Sequence, residues 1–188
     1  MNFYSDEIIN EIIDSSEIEN MLENLETFKK NVRYLLHRFA GNDIHHKYTD
    51  SLLSDDKNKV VFYCMDFEFC VFNCPVIMIY RKFVSRETPN IITYYILMLC
   101  TKPKFRNQGY ASKLLDGFLA TLRKKHVTEI QEKNKNIRII LSSVESAVLF
   151  YEAYGFRWTR DTLLDHKVLI QTEKYETDKE YFIMEYSL

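Results

Sequence analysis

The stretch Thr101-Lys102-Pro103-Lys104-Phe105-Arg106-Asn107-Gln108-Gly109-Tyr110-Ala111 has the residue types and spacing to bind an anion. It follows an almost wholly apolar run, 91–101. It precedes Leu114, Leu115, Phe118, Leu119 and Leu122, which recur at helical spacing. The order is therefore strand, tight loop, amphipathic helix. A helix N-terminus presents main-chain N–H groups and the positive end of the helix dipole, so it can take a phosphate or diphosphate that approaches the backbone closely. Gly109 and the small Ala111 permit that approach. Between 101 and 125, seven basic side chains (Lys102, Lys104, Arg106, Lys113, Arg123, Lys124, Lys125) stand against one acid, Asp116. The pattern is neither a Walker loop, which needs GxxxxGK(S/T), nor a dinucleotide fingerprint with three spaced glycines.

The elements around this loop follow from periodicity. Ile8, Ile9, Ile12 and Ile13, and then Ile18, Met21, Leu22, Leu25, Phe28, Val32, Leu35, Leu36 and Phe39, predict helices over 1–41. Ser16 with Glu19 makes a capping box for the second helix, and Gly41 ends it. Residues 42–58 read as a polar loop with at most a short helical turn, and the adjacent His45 and His46 lack the spacing of metal ligands. Residues 59–83 predict two or three strands with turns near Asp66 and Asn73, and a turn at 85–90 leads into the run 91–101. After the central helix, 124–136 reads as a charged connector and 137–141 as a short buried strand. Ser142 with Glu145 reads as a capping box for a helix bearing Val144, Ala147, Val148 and Tyr151 on one face. Gly155 stops that helix before a strand at 156–159, and 181–188 reads as the final strand after a polar, irregular 160–179.

Composition bounds the classes. A chain of 188 residues fits a single domain, taken as 1–188 with a core at 59–160. With 46% hydrophobic and 28% charged residues it can bury a core, which excludes a disordered class. Only 4 glycines and 3 prolines exclude collagen-like and low-complexity classes. A net charge of −2 gives no reason to expect nucleic-acid or membrane-surface binding. The apolar runs 60–72 and 91–100 fall short of the ~20 residues of a membrane-spanning helix. The start of the chain lacks the basic n-region of a secretory leader. Cys64, Cys70, Cys74 and Cys100 form no CxxC pair, so reduced core thiols in an intracellular, cytoplasmic protein are expected, with no metal. Residues 1–26 hold eight acids and no base, a solvated helix face that tilts the expectation slightly towards a cationic partner.

Arg106-Asn107-Gln108-Gly109-Tyr110-Ala111 resembles the diphosphate loop (R/Q)-x-x-G-x-(G/A) of the GNAT superfamily, the Gcn5-related N-acetyltransferases, matching every specified position. The run-in resembles V-x-P-x-x-R with Thr101 in place of Val. Ala147-Val148-Leu149-Phe150-Tyr151-Glu152-Ala153-Tyr154-Gly155-Phe156 resembles the family's A-x-x-(L/F)-Y-x-x-x-G-F helix. The resemblance spans roughly 91–160. It implies an α/β (α+β) fold with a mixed, mostly antiparallel central sheet of about six to seven strands flanked by helices on both faces.

The resemblance also implies a co-substrate, acetyl-CoA, and an amine acceptor that takes the acetyl group by direct attack in a ternary complex. The N–H groups of Gln108, Gly109, Tyr110 and Ala111 would surround the diphosphate with Arg106 and Asn107 beside them, and Ser112 would add a donor. The edge at Leu99-Cys100-Thr101 would pair with the pantetheine arm and aim an N–H at the thioester carbonyl. Tyr151 matches the tyrosine that serves the departing thiolate as an acid, a phenol being protonated at neutral pH. Two departures stand out. Val144 occupies a position where many relatives have Asn, and Ser142 or Ser143 would have to replace it. An amine of the lysine type is neutral in only about one molecule in two thousand at pH 7, so it needs a base. The run 91–101 holds no Asp or Glu, which leaves Asp66, Glu68, Tyr94, Tyr95 or a water chain. A catalytically silent CoA-binding module is the alternative. The acceptor (small molecule, polyamine, or peptide or protein amine) and the oligomeric state are not written in the sequence.

Overall fold

The computed structural model describes residues 2–5, 30, 33–34, 36, 44–64, 74–131, 135–170 and 180–188. In chain order the described elements are β1 (Asn2–Ser5), α1 (His46–Ser54), β2 (Asn58–Cys64), β3 (Val76–Val84), β4 (Ile91–Thr101), α2 (Tyr110–Gln131), β5 (Asn136–Val144), α3 (Val148–Ala153), β6 (Arg157–Trp158) and β7 (Tyr181–Ser187). Single 3₁₀ turns lie at Pro103–Phe105, Glu145–Ala147 and Leu163–Asp165. The strands form one sheet of seven, hydrogen-bonded in the order β1-β2-β3-β4-β5-β7-β6. It is mixed: β4 and β5 run parallel, whereas β1–β2, β5–β7 and β6–β7 are antiparallel.

Two compact units divide the chain, 1–79 with 98–117 and 80–97 with 118–188. In the first, Phe62, Val76, Ile77, Met78, Leu114 and Leu115 are fully buried, and each large side chain contributes about 1.5–3 kcal/mol by leaving water. Cys74 and Cys100 are buried here. In the second unit Ile137, Ile139, Ile140 and Leu141 of β5 pack with Ile183 and Met184 of β7. The β4–β5 ladder covers Ile91 to Ile96 only, and the rest of β4 extends beyond it.

Several elements differ from expectation for identifiable reasons. The segment expected as a connector from 124 is helix as far as Gln131. Phe118, Leu122 and His126 continue the buried stripe at four-residue spacing, but a histidine carries its last turn and hydropathy reads that as an end. Ser142 is not a helix cap. It lies in β5, which β7 extends by pairing Ser142, Ser143 and Val144 with Ile183, Phe182 and Tyr181. Residues 46–54 form a nine-residue helix, with His45 Nδ1 accepting from Lys47 N at 3.2 Å as its N-cap. β1 stands ahead of the expected helices. Of 6–41 the structure describes only Lys30, Arg33, Tyr34 and Leu36, which are helical. Ser16, Glu19, Gly41, Asp66, Glu68, Cys70 and Asn73 lie outside the described residues.

Candidate active site

The loop after β4 belongs to the first unit. Lys102 N donates to Pro75 O at 2.9 Å as β4 ends, and Pro103 starts a 3₁₀ turn closed by Phe105 N on Lys102 O (2.8 Å) and Arg106 N on Pro103 O (3.3 Å). The chain then reverses through two residues of positive φ, Asn107 (60°) and Gly109 (77°). Asn and Gly tolerate this conformation best among the amino acids. A Cβ built on Gly109 would meet nothing within 4 Å, so backbone conformation and not crowding by protein demands the glycine. The first N–H to bond into α2 from this side is that of Lys113, on Gly109 O at 3.0 Å. Among the described residues no group accepts a hydrogen bond from the main-chain N–H of any residue from 107 to 112.

Side chains brace this turn. Gln108 Nε2 donates to Lys104 O at 2.9 Å, and Arg106 Nε donates to Thr101 O at 3.5 Å. The Tyr110 ring lies 5.5 Å from Phe105 and 5.8 Å from Tyr63, with Lys113 Nζ over both tyrosine rings. Arg106, Asn107, Gln108 and Gly109 are exposed, Ala111 and Ser112 half-buried. Upstream, Leu99 and Thr101 are half-buried and Cys100 is buried. Ten of the eleven expected site residues thus sit in one continuous segment of β4, loop and α2. An anion there would meet main-chain donors, the helix dipole and the cations Lys104, Arg106 and Lys113.

Tyr151 lies in the second unit, on α3. Its carbonyl accepts from Tyr154 N (3.0 Å) and Phe156 N (3.2 Å), and Gly155 (φ 87°) closes the turn, as its sequence position predicted. Its ring packs between Phe150 at 5.0 Å and Phe156 at 5.6 Å. Burial pushes the phenol above its ordinary range, so it is protonated at neutral pH. Among the described residues none hydrogen-bonds its hydroxyl.

The two tyrosines named as candidate bases differ sharply. Tyr94 is 2% exposed and shares a 2.7 Å hydrogen bond with His126 Nε2, under α2 and edge-on to Phe118. Tyr95, the next residue along the strand, points to the opposite face. There its Oη lies 3.3 Å from His166 Nδ1, and His166 Nε2 lies 3.1 Å from Asp161 Oδ2. His166 and Asp161 were not legible as functional residues. They belong to the polar stretch after β6, and Tyr95 is 71 positions from its histidine partner, so no local pattern links them. No group of His, Cys, Asp and Glu that could hold a metal occurs among the described residues. No helix among them is long and apolar enough to cross a membrane.

Comparison with known proteins places the chain. Residues 68–158 match the family model of the acetyltransferase (GNAT) domain. The fold is similar to that of Tetrahymena GCN5, with TM-score 0.57 at 12% identity over 100% of this chain and 96% of the other. It is similar to Arabidopsis thaliana Naa50, solved with the bisubstrate analogue CoA-Ac-MVNAL, with TM-score 0.53 at 15% identity over the whole of both chains. For the ribosomal-protein-S18-alanine N-acetyltransferase of Escherichia coli the TM-score is 0.50 at 15% identity over 86% of this chain and 88% of that one. No curated protein matches by sequence. The seven-stranded sheet and the matched domain model agree: residues 68–158 are similar to the GNAT acetyltransferase domain, and the fold is similar to those of the acetyltransferases above.

Proposed function

We propose that residues 1–188 act as one N-acetyltransferase domain that moves the acetyl group of acetyl-CoA to a primary amine by direct attack, with both substrates bound. The observation that carries this reading is the run of main-chain N–H groups from 107 to 112, without protein acceptors among the described residues, at the start of a 22-residue helix beside Arg106. Such an array suits a diphosphate, each charge-assisted hydrogen bond being worth ~1.5–3 kcal/mol. In this reading the amides of Gln108, Gly109, Tyr110 and Ala111 grip the diphosphate of CoA, with Asn107 and Ser112 at the margins. The edge at Leu99-Cys100-Thr101 receives the pantetheine arm as an added strand. In support, β4 runs on past its ladder with β5. An edge N–H there would stabilise the oxyanion that forms when the amine attacks, a contribution of ~3–4 kcal/mol where a comparable donor is removed.

Tyr151 serves the departing sulfur, but not as a strong acid. Handing a proton from an ordinary phenol, pKa about 10, to a thiolate of pKa about 8.5 is already uphill by ~2 kcal/mol. Burial pushes Tyr151 further up. Its part is to donate a hydrogen bond to sulfur as the C–S bond breaks. Cys100, buried in β4, is a strand residue and not a nucleophile.

The test pairs calorimetry of CoA binding with release of free thiol from acetyl-CoA. The acceptors are spermidine, a lysine-containing peptide and the peptide Met-Val-Asn-Ala-Leu, the last taken from the analogue bound to the Arabidopsis protein. The reading expects CoA binding and thiol release with at least one amine. Binding without thiol release from any of them marks a silent CoA-binding module, and no binding removes the reading altogether.

A further inference from the structure

The loop after β4 carries more cations than a diphosphate needs. In the reading above, the N–H groups of Gln108 to Ala111 and the Arg106 guanidinium meet the diphosphate of CoA. Two further ammonium groups flank that array, Lys104 in the 3₁₀ turn before it and Lys113 in the first turn of α2. Both residues are exposed. Each is held on aromatic ring faces: Lys104 Nζ stands 4.7 Å from the Phe105 centroid, and Lys113 Nζ stands 5.3 Å from that of Tyr110 and 5.8 Å from that of Tyr63. The three rings form one row, because Tyr110 packs against both Phe105 and Tyr63. A ring face attracts a cation but does not neutralise it. Among the described residues neither ammonium has an ion pair or a hydrogen bond, and Asp116, three positions beyond Lys113 on α2, is not paired with it. Two placed positive charges are therefore left without a countercharge from the described residues, and all of these groups belong to the unit of 1–79 with 98–117.

CoA supplies a group of the opposite sign close to its diphosphate. Its ribose bears a 3′-phosphate, a monoester with a charge of about −1.5 to −2 at pH 7 and three strong acceptor oxygens. Only the ribose separates that phosphate from the diphosphate, so gripping the one at the loop brings the other within the span of a lysine side chain on either flank. Lys113 stands one helical turn, ~5.4 Å, along α2 from the amides, and its own N–H bonds to Gly109 O. We propose that Lys104 and Lys113 bind the 3′-phosphate of CoA and make the chain select CoA over 3′-dephospho-CoA, which rests on the CoA-binding reading above.

Arg106 and the two lysines differ in what they can discriminate. Arg106 is tied to the base of the loop through Nε on Thr101 O at 3.5 Å, and it serves the diphosphate, which CoA and its dephospho form share. A lysine ammonium is a compact point charge, suited to a monoester whose oxygens can be approached from more than one side. The rings hold both ammonium groups before any ligand arrives, which lowers the ordering cost of binding. An exposed charge pair is worth up to about fivefold in affinity, so two lysines on one nearly doubly charged group give about tenfold. Salt screens such pairs, because the Debye length shrinks from ~10 Å at 0.1 M to ~3 Å at 1 M.

The experiment is calorimetric titration of CoA and of 3′-dephospho-CoA into wild type, Lys104→Met, Lys113→Met, the double variant and Arg106→Ala, at low salt and at about 1 M salt. Methionine keeps an aliphatic stem over the rings and removes only the charge. Wild type is expected to bind CoA about tenfold more tightly than 3′-dephospho-CoA at low salt and within about twofold at high salt. The double variant should show a preference of about twofold or less at low salt, with each single variant between the two. Arg106→Ala should weaken both ligands by the same factor and so keep the preference. A wild type that binds both forms of CoA equally, or a double variant that keeps the full tenfold preference, overturns the proposal while leaving CoA binding intact. A wild type that binds neither form overturns the CoA reading, and the proposal with it. The salt series on wild type decides without any substitution, since a preference that does not shrink as salt rises is not made by exposed lysines and also overturns the proposal.

Discussion

Gly109 and Gly155 form a matched pair of perturbations. Both hold positive φ, 77° and 87°, and neither is crowded: an added Cβ meets nothing within 4 Å at Gly109 and only Tyr186 Cε2 at an ordinary 3.6 Å at Gly155. Replacing either by alanine forces a side chain into the left-handed region at ~1–2 kcal/mol. It recovers ~0.4–1 kcal/mol by stiffening the unfolded chain. The net loss is about 0.5–1 kcal/mol in each case, a fall in Tm of roughly 1–4 °C for a chain of this size. The two should separate in ligand binding. At Gly109 the methyl enters the open space beside the amides of the loop, and loss of one charge-assisted hydrogen bond at ~1.5–3 kcal/mol weakens CoA about 10- to 150-fold. At Gly155 the affinity should not move. Thermal melts and calorimetric titration of CoA on Gly109→Ala, Gly155→Ala and wild type give both readouts. If Gly109→Ala melts like Gly155→Ala and binds CoA within about threefold of wild type, the amides do not grip the diphosphate and the reasoning fails.

Arg106→Ala removes an exposed cation beside the loop and should weaken CoA about 5- to 30-fold at low salt, with the gap shrinking as ionic strength rises in the same titration. Tyr151→Phe removes the hydrogen bond to the departing sulfur and should lower turnover about 10- to 150-fold with CoA affinity nearly unchanged; steady-state kinetics with full activity would remove Tyr151 from the mechanism. Burial holds the Tyr151 phenol above its unfolded pKa of about 10, so in alkali the unfolded chain binds fewer protons than the native one. Stability from this residue is therefore intact below pH 10 and falls above it, by ~1.4 kcal/mol per pH unit up to the raised native value. Denaturant melts from pH 9 to 11.5 should show Tyr151→Phe losing less stability above pH 10 than wild type. Leu114→Ala, at a fully buried position of α2, should cost ~2–5 kcal/mol in urea unfolding.

The sequence by itself determined what is local. The run from Thr101 to Ala111 between an apolar strand and an amphipathic stripe specified the loop, because a positive-φ glycine before a helix is a property of neighbouring residues. The same holds for Gly155 after α3 and for the absence of a carboxylate in β4. Tertiary structure decided the rest. Ser142 carries a capping pattern, yet β7 drew it into a ladder, since strand pairing across some forty residues outweighed one local hydrogen bond. His126 reads as polar but fills the last buried position of the α2 stripe, opposite Tyr94. Alternation along β4 puts Tyr94 and Tyr95 on opposite faces, but only tertiary packing buries both and sets a histidine beside each hydroxyl. The Tyr95–His166–Asp161 chain joins a central strand to a loop far along the polypeptide, and hydrogen bonds over such separations exist only once the sheet has brought the two together.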